Sequence, residues 1–329
     1  MARGTLLGER LFRGAMGLLS LAPYAVVAIV AADLVVSSAP VWHLMGVRFL
    51  EARTWSLGNQ YGQPVRVHGE LLMPGASFGA AVPIVGTLLT SALALVLATP
   101  MALLVATGTA FVLGPGPRRI LGMVVEMMAG IPSVLYGLWG FVVLGPYIAR
   151  SLGPWLDRVL PPWPFVTGPV SGPTNLLTAG VVLALMVIPI IASTARAVME
   201  RVPDGWLDNA RALGWTDAEV FRHLVWPYAR PAVVGAVILG LGRALGETMA
   251  VLMVSGNAMN VLPRNWYSPV ATMAATIAGQ LDAALQDPTQ MAVRALGALG
   301  LVLLVISIGT NFVARLLVAR RAAVLDGQA

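Results

Sequence analysis

The sequence predicts an all-α polytopic membrane protein with six transmembrane helices, and three observations predict this class. Hydrophobic residues make up 57% of the 329 residues and charged residues only 11%, whereas soluble domains carry about 25% charged residues. Six apolar windows are each long enough to cross the ~30 Å hydrocarbon core of a bilayer. Arginine is concentrated in alternate segments between those windows, as in loops that share one side of a membrane.

The six windows define the predicted helices in chain order. Their bounds are 14–37, 82–108, 120–144, 175–195, 231–254 and 295–314. The first window follows a basic segment and is followed by small residues, as in a cleaved signal peptide. It is longer than the 7–15 apolar residues of such a peptide, so we predict a retained helix.

The distribution of arginine predicts the orientation. The segments 1–13, 109–119, 196–230 and 315–329 hold 13 arginines in 74 residues, and the segments 38–81, 145–174 and 255–294 hold 7 in 114 residues. The arginine-rich set is therefore predicted to be cytoplasmic, with both termini on that side. The chain then divides into a cytoplasmic N-terminus (1–13), a first transmembrane helix (14–37), an extracytoplasmic loop (38–81), a core with five further transmembrane helices (82–318) and a cytoplasmic tail (319–329).

The residue types that are absent exclude several kinds of site. The chain has no Cys and no Lys, which excludes a thiolate metal site and an ordinary ATP-binding P-loop, since that loop needs a lysine at the phosphates. The three histidines, His43, His68 and His223, are scattered and lie outside the windows. We expect no metal, no catalytic set and no cofactor in this chain.

A predicted inner loop, which begins at Arg196, opens with a short helix. Asp204 follows Pro203 and is placed to cap a helix at 205–213. Gly214 then supplies the left-handed residue that commonly ends a helix.

A second short helix is predicted at 217–225. Thr216 and Glu219 form a T-x-x-E capping box at its start, and Pro227 is expected to end it. Two short helices around a glycine turn also suggest a DNA-binding helix-turn-helix. Residues 204–225 carry four acidic and two basic side chains, however, and a groove-reading unit is basic. The paired caps favour a folded docking element for a cytoplasmic partner over a surface helix in the headgroup region.

Arg243 and Glu247 lie in the middle of the fifth window. On a helix, residues four apart share a face, and each charge costs about 3 kcal/mol at mid-membrane even on the milder insertion scales. One interpretation is a buried ion pair that fastens this helix to its neighbours, with Gly240, Gly242 and Gly246 allowing close approach. The other is a charged site that faces a translocation path, which is the default function of ionisable residues inside a membrane.

Three further residues are candidates for such a path. Glu126 lies in the third window and is interpreted as path-lining, as helix-pairing or as lying near the inner interface. Thr87 and Thr90 would give a path polar walls, although threonine hydroxyls in membrane helices also bond to a neighbouring helix or to their own backbone.

The inner loop resembles the EAA loop of ABC importer permeases, whose pattern is E-A-A, three residues, Gly, nine residues and I-x-L-P. In this chain the pattern stands as Asp208-Asn209-Ala210, Gly214 and Leu224-Val225-Trp226-Pro227. Four other segments resemble the membrane subunits of the phosphate-specific ABC importer, and the last of them resembles the C-type subunit. They are GTLLTSALA at 86–94, IPSVLYGLWG at 131–140, MAATIAGQL at 273–281 and GRALGETMAVLMVSGN at 242–257. The resemblance extends from about residue 10 to residue 318.

The resemblance implies a type I importer permease in a bacterial inner membrane. It implies a sister permease subunit, two ATP-binding subunits and an extracytoplasmic phosphate-binding protein, with ATP hydrolysis in a separate chain. The loop at 200–227 is expected to couple to the ATPase, with Phe221 and Leu224 on the gripped helix. The coupling residues are expected to be Asp208, Ala210, Gly214, Phe221, Leu224 and Pro227.

In that setting Arg243 is expected to meet phosphate in the path while Glu247 holds it in place, because a guanidinium fork matches phosphate oxygens two at a time. Another tetrahedral oxyanion remains an alternative substrate. A secondary anion transporter often has two similar halves, and the sequence shows no internal repeat. An intramembrane enzyme needs a catalytic set at one depth, whereas only one Arg/Glu pair lies deep in the windows.

Overall fold

The computed structural model describes residues 2–161, 163 and 165–326. This part of the chain is a bundle of helices with one antiparallel hairpin. The helices are α1 (Ala2–Met45), α2 (Arg48–Glu51), α3 (Ala81–Thr107), α4 (Pro115–Gly130), α5 (Ser133–Trp139), α6 (Gly145–Tyr147), α7 (Gly153–Val159), α8 (Leu176–Met199), α9 (Asp204–Ala212), α10 (Asp217–Val220), α11 (Trp226–Leu245), α12 (Met249–Val254), α13 (Met273–Leu285) and α14 (Met291–Asp326). The hairpin pairs β1 (Val65–Val67) with β2 (Glu70–Leu72).

Wider π-helical turns extend several of these helices. They are Gly108–Val112, Gly140–Leu144, Ile148–Leu152 and Phe221–Val225. The last of them joins α10 to α11, so that one helical stretch runs from the inner loop into the bundle.

The number of candidate membrane spans agrees with the six predicted. In the described residues five helices are long and apolar enough to cross a bilayer, namely Phe12–Met45, Ala81–Val112, Leu176–Met199, Asp217–Leu245 and Met291–Val313. A sixth span results if α4 and the following helical segment, Ser133–Val159, are counted together, although they are bent by 97°.

The bend shows that the prediction of one continuous helix over 120–144 is wrong. The helix ends at Gly130, and Ile131 is extended, with φ −70° and ψ 127°. Pro132 follows, and a proline disfavours helical backbone in the residue before it. Membrane helices tolerate many prolines, and Pro100 and Pro189 do lie inside α3 and α8, but Pro132 breaks its helix.

Helix α8 forms the centre of the bundle. It packs against α3, α4, α11 and α12, and most of its side chains are buried. Its closest partner, α3, offers a stripe of small residues at four-residue spacing, Ala94, Ala98, Ala102 and Ala106, each fully buried. Small residues at this spacing let two helices approach closely.

Helix α1 lies at the periphery and packs mainly along α14. Leu34 lies against Gly300 of α14, and Ser37 lies near Gly297 of the same helix. Helix α1 continues to Met45, so the first eight residues of the predicted loop 38–81 are helical. The rest of that loop carries the hairpin and is tied to the bundle by Asn260, whose amide Oδ1 accepts a 2.6 Å hydrogen bond from the backbone N–H of Trp55.

Candidate functional site

Arg243 and Glu247 form an ion pair across a break between two helices. Nη2 of Arg243 lies 3.5 Å from Oε2 of Glu247. The prediction that both residues lie on one helix is wrong, because α11 ends at Leu245 and α12 begins only at Met249. Gly246, a weak helix former, takes the position that caps the end of α11. Oε1 of Glu247 accepts a 3.3 Å hydrogen bond from the N–H of Ala250 in the next helix.

The two partners differ sharply in exposure. The side chain of Arg243 is 49% exposed and that of Glu247 is 5% exposed. A half-exposed guanidinium inside an apolar stretch is stable only if another chain or water covers it, since hydrocarbon does not solvate a charge. The pair therefore presents its cation to a surface of this chain and keeps its carboxylate inside.

Two glycines of α11 lie close to the neighbouring helices α8 and α14. A Cβ on Gly240 would lie 2.7 Å from Cγ1 of Val187 in α8, and a Cβ on Gly242 would lie 3.7 Å from the amide nitrogen of Asn311 in α14. Within the described residues, Arg243 and Glu247 form an ion pair with each other and with no residue of α8 or α14. The close approach of α11 to α8 thus depends on Gly240, and the ion pair ties α11 to α12.

The broken helix α4–α5 packs directly beside this site. A Cβ on Gly137 would lie 2.9 Å from Cα of Ala250, so α5 and α12 meet backbone to backbone. The hydroxyl of Tyr136 donates a 3.0 Å hydrogen bond to the carbonyl of Met128, across the bend. Sequence reasoning missed this role of Tyr136, and the only local signal for the break was the proline after Ile131.

Thr87 and Thr90 are buried and have their hydroxyls engaged. Oγ1 of Thr87 donates to the carbonyl of Pro83 and accepts from the N–H of Met273, both at 2.8 Å. Oγ1 of Thr90 donates to carbonyls of its own helix, at Gly86 and Thr87. A path-lining role for either threonine stays a prediction, and it would require these bonds to be exchanged.

Glu126 is exposed on α4 and, among the described residues, forms no ion pair with Arg243. It lines a cleft of about 180 Å³ between α4 and α8 together with Arg196, Glu200, Ser193 and Thr109. The structure therefore groups Glu126 with the charged residues that lead into the inner loop. Thr87 and Thr90 do not line this cleft.

The inner loop folds into two short helices close to the predicted bounds. Helix α9 runs from Asp204 to Ala212, and Gly214 has a φ of +87°. The capping box at α10 is confirmed. The N–H of Thr216 donates to Oε2 of Glu219 at 2.8 Å, and the N–H of Glu219 donates to Oγ1 of Thr216 at 3.4 Å.

Two details of this loop were wrongly predicted. Asp204 does not cap α9, because Pro203 takes the capping position and Asp204 is the first helical residue. Pro227 does not end the second helix. The π-helical turn Phe221–Val225 widens the helix just before it, and Pro227 lies in the first turn of α11, where a missing N–H is tolerated.

The exposed apolar side chains of the loop differ from those expected. Phe221 and Leu224 are half-buried and pack into the loop's own core. Phe221 meets Phe111 edge to face, with ring centroids 6.2 Å apart. The large exposed apolar groups are Trp206, Leu213 and Trp215. Helical periodicity pointed to an apolar face at Phe221, but it did not say whether that face turns toward a partner or toward the loop's own core.

The remaining candidates in the loop differ in exposure. Asp208 is exposed and lies 3.8 Å from Arg211, while Ala210 is buried. In the segment that resembles the EAA motif, Asp208 therefore lies on the surface and Ala210 packs in the interior of the loop.

Comparisons with known proteins identify the family of this chain. Residues 98–322 match the family described as the binding-protein-dependent transport system inner membrane component. Phosphate transport system permease protein PstC 1 of Mycobacterium tuberculosis is 42% identical over 280 residues, which cover 84% of this chain and 83% of the relative. The PstC protein of Pasteurella multocida is 37% identical over 95% of this chain and 92% of its own length.

Among solved structures, an inward-facing MetNI methionine ABC transporter gives a TM-score of 0.48 at 17% identity, and the match covers 71% of this chain and 90% of that chain. The family match spans most of the helical bundle, including the inner loop and the Arg243–Glu247 break. The chain belongs to the family of inner membrane components of binding-protein-dependent transport systems, and it is a permease subunit with the type I ABC importer fold.

Proposed function

We propose that this chain forms half of the translocation path of an ATP-driven phosphate importer, and that Arg243 meets the phosphate in that path. Two features support the substrate. The relatives reported above are named phosphate transport permeases, and the site offers a guanidinium, whose planar fork pairs with two phosphate oxygens at once.

The observation that carries the proposal is the half-exposed guanidinium inside an apolar stretch. Arg243 lies 13 residues beyond Arg230, which is about 20 Å along a helix and hence well inside a hydrocarbon core of ~30 Å. At that depth an exposed charge needs a polar surface opposite it. A water-filled path shared with a sister permease subunit supplies that surface.

Glu247 gives the site its moderate affinity. Its buried carboxylate holds the guanidinium when no phosphate is present and competes with the substrate when one arrives. A path needs binding that is strong enough for entry and weak enough for release. A carboxylate also accepts a hydrogen bond from a protonated phosphate, whereas fully ionised sulfate has no such donor.

The other partners follow from the same proposal. Two ATP-binding subunits dock at the loop 200–227 on the cytoplasmic side, and an extracytoplasmic phosphate-binding protein delivers the substrate from the opposite side. Both termini are cytoplasmic, and the membrane is the bacterial inner membrane. The exposed apolar groups Trp206 and Leu213 are the contacts that the loop offers to the ATPase.

The test is ATP-driven uptake of phosphate into vesicles that contain the whole complex. We expect Arg243→Gln to assemble and to lose phosphate uptake. Arg230→Gln, which removes an exposed guanidinium from the same helix, is the matched control and is expected to keep uptake. Normal uptake by Arg243→Gln would show that the pair only ties α11 to α12. Uptake of another oxyanion by the unchanged complex would overturn phosphate as the substrate and leave the permease assignment in place.

A further inference from the structure

A cluster of three charged side chains joins α4, α8 and the start of the inner loop. One oxygen of Glu200, Oε1, accepts a 2.6 Å hydrogen bond from Nη2 of Arg118 and a 2.9 Å hydrogen bond from Nε of Arg196. Arg118 lies in the first turn of α4, Arg196 lies in the last turn of α8, and Glu200 follows α8 directly. Movement of the loop at Glu200 is therefore transmitted to α4 through the charge-assisted hydrogen bond to Arg118. Such a bond is about twice as strong as a neutral one.

The position of Arg196 depends on a glycine of α4. A Cβ on Gly122 would lie 2.8 Å from Nη1 of Arg196, so the guanidinium lies close against α4 at this point. Any larger side chain would push the guanidinium away. Gly122 therefore gives Arg196 access to the surface of α4.

A second carboxylate lies within the same cleft. Glu126 is four residues beyond Gly122 and hence on the same face of α4, one turn further along. Glu126, Arg196 and Glu200 all line the 180 Å³ cleft between α4 and α8. In the described part of the chain Glu126 makes no salt bridge, whereas Glu200 makes two. Arg196 thus has one engaged carboxylate on the loop and one unengaged carboxylate on α4.

We infer that Arg196 is a positioning residue with two alternative partners: it pairs with Glu200 in this conformation and with Glu126 in the other conformation of the transport cycle. This inference rests on the proposed function, because the driving force is movement of the loop by the ATPase. When the loop moves, Glu200 leaves Arg196, and the guanidinium draws α4 toward α8 through Glu126. Such an exchange provides the discrete second arrangement that transmission between distant sites requires.

The displacement has a packed route to Arg243. Helix α4 is tied to α5 by the hydrogen bond from Tyr136 to Met128, and α5 packs on α12 at Gly137 and Ala250. The N–H of Ala250 is bonded to Glu247, the partner of Arg243. A shift of α4 at the inner loop is therefore transmitted to the ion pair through direct contacts.

The exchange makes two opposite predictions for two conservative variants. Glu200→Gln leaves Glu126 as the only carboxylate for Arg196, so it should favour the ATP-bound conformation without ATP. Glu126→Gln removes the alternative partner, so it should keep α4 in the resting position when ATP is bound. Each variant is expected to change the ratio of the two conformations by about fivefold or more, which is the usual magnitude of allosteric coupling. Gly122→Ala displaces Arg196 without changing any charge. It should reduce the difference in the position of α4 between the two conformations.

The measurement is the distance between two spin labels by pulsed electron paramagnetic resonance in the assembled complex. The chain has no Cys, so single cysteines at Ile120 of α4 and Phe312 of α14, both exposed, label it without background from this subunit. Distances are compared without nucleotide and with ATP plus vanadate, which traps ADP and vanadate in the ATPase after hydrolysis. The control is Arg119→Gln, since Arg119 lies next to Arg118 but, among the described residues, takes no part in the ion pairs of Glu200. It should behave like the unchanged chain.

Opposite shifts in Glu200→Gln and Glu126→Gln support the exchange. Shifts in the same direction, no shift, or an unchanged chain whose α4 distance does not respond to ATP would each overturn it. Uptake measured on the same preparation separates this inference from the proposed substrate. If the complex transports another oxyanion and shows the predicted shifts, phosphate is not the substrate but the exchange of partners is supported. If the complex imports phosphate without the shifts, the substrate is supported and the exchange is overturned.

Discussion

The hydroxyl of Tyr136 donates a hydrogen bond of 3.0 Å to the carbonyl of Met128, from one side of the 97° bend between α4 and α5 to the other. Tyr136→Phe removes only this donor, and the carbonyl of Met128 keeps a 3.4 Å hydrogen bond from the N–H of Ile131. We expect the variant to be less stable by about 1 kcal/mol, the usual net contribution of one hydrogen bond. Unfolding of the purified chain in detergent measures the change.

Tyr147→Phe is the matched control for that variant, because the side chain of Tyr147 is 57% exposed and lies away from the bend, in α6. It should unfold like the unchanged chain. Equal stability of the two variants would show that the bend is held by Pro132 and packing alone.

The hydroxyl of Thr87 links α3 to the first residue of α13, since it accepts a 2.8 Å hydrogen bond from the N–H of Met273. Thr87→Val keeps the shape of the side chain and leaves that N–H unsatisfied, which should cost about 1–3 kcal/mol. Thr87→Ser should be close to the unchanged chain, and Thr90→Val should cost less because Thr90 bonds only to carbonyls of its own helix. Thermal unfolding of the three variants gives the order.

Uptake by the same variants decides whether Thr87 also lines the path. A structural threonine loses stability and uptake together. Loss of uptake at unchanged stability in Thr87→Val would contradict the structural role and support the path-lining role.

The fold was predictable from the sequence where a single physical quantity decides. Apolar length predicted the six windows, and the capping box predicted the start of the second short helix of the inner loop, including the bond between Thr216 and Glu219. Local signals of this kind act within one turn of a helix, so no tertiary context was needed.

The missed features depend on contacts between distant residues. Pro100 and Pro189 lie inside helices, whereas Pro132 follows the end of α4, and α5, which begins after it, packs on α12. Helical periodicity placed an apolar face at Phe221, yet its burial depends on Phe111, more than a hundred residues away. The spacing of Arg243 and Glu247 predicted their ion pair correctly, but it did not predict the break between them, beyond which the N–H of Ala250 bonds to Glu247.

The ion pairs of Glu200 should make part of the stability of the chain depend on pH. Burial raises the pKa of the Glu200 carboxyl, but hydrogen bonds and charge from Arg196 and Arg118 outweigh it, so the pKa lies below its ordinary value. A carboxyl with a lowered pKa in the folded state stabilises that state above the unfolded pKa, near ~4.3. This contribution is lost as the pH falls from there through the folded-state pKa.

The stability difference between the unchanged chain and Glu200→Gln isolates this contribution, because all other acid-sensitive groups are common to both. We expect the unchanged chain to be more stable from about pH 5 upward, and we expect the difference to shrink as the pH falls below ~4. Unfolding in detergent at a series of pH values measures it. A difference that persists unchanged at low pH would mean that the substituted amide is accommodated differently from the carboxyl and that the charge is not the cause.

Leu213 and Phe221 should separate docking of the ATPase from folding of the loop. The side chain of Leu213 is 79% exposed, and it follows α9 directly, so Leu213→Ser should leave stability unchanged and reduce co-purification of the ATPase. Phe221 is half-buried against Phe111. Phe221→Ala should therefore lower stability by about 2 kcal/mol, less than the roughly 3–5 kcal/mol of a fully buried phenylalanine, and weaken docking only as far as the loop unfolds.

The two variants are compared in one experiment, with the unfolding temperature and the amount of bound ATPase measured on the same preparations. Low temperature should stabilise the loop of Phe221→Ala and thereby restore docking. The reason is that a partner that contacts only the exposed surface binds the folded loop equally well with or without Phe221. The same treatment should not restore docking of Leu213→Ser. If Phe221→Ala loses the ATPase while the loop is still folded, the ATPase reaches past the exposed surface to Phe221, and the grip expected from the EAA pattern is correct in its original form.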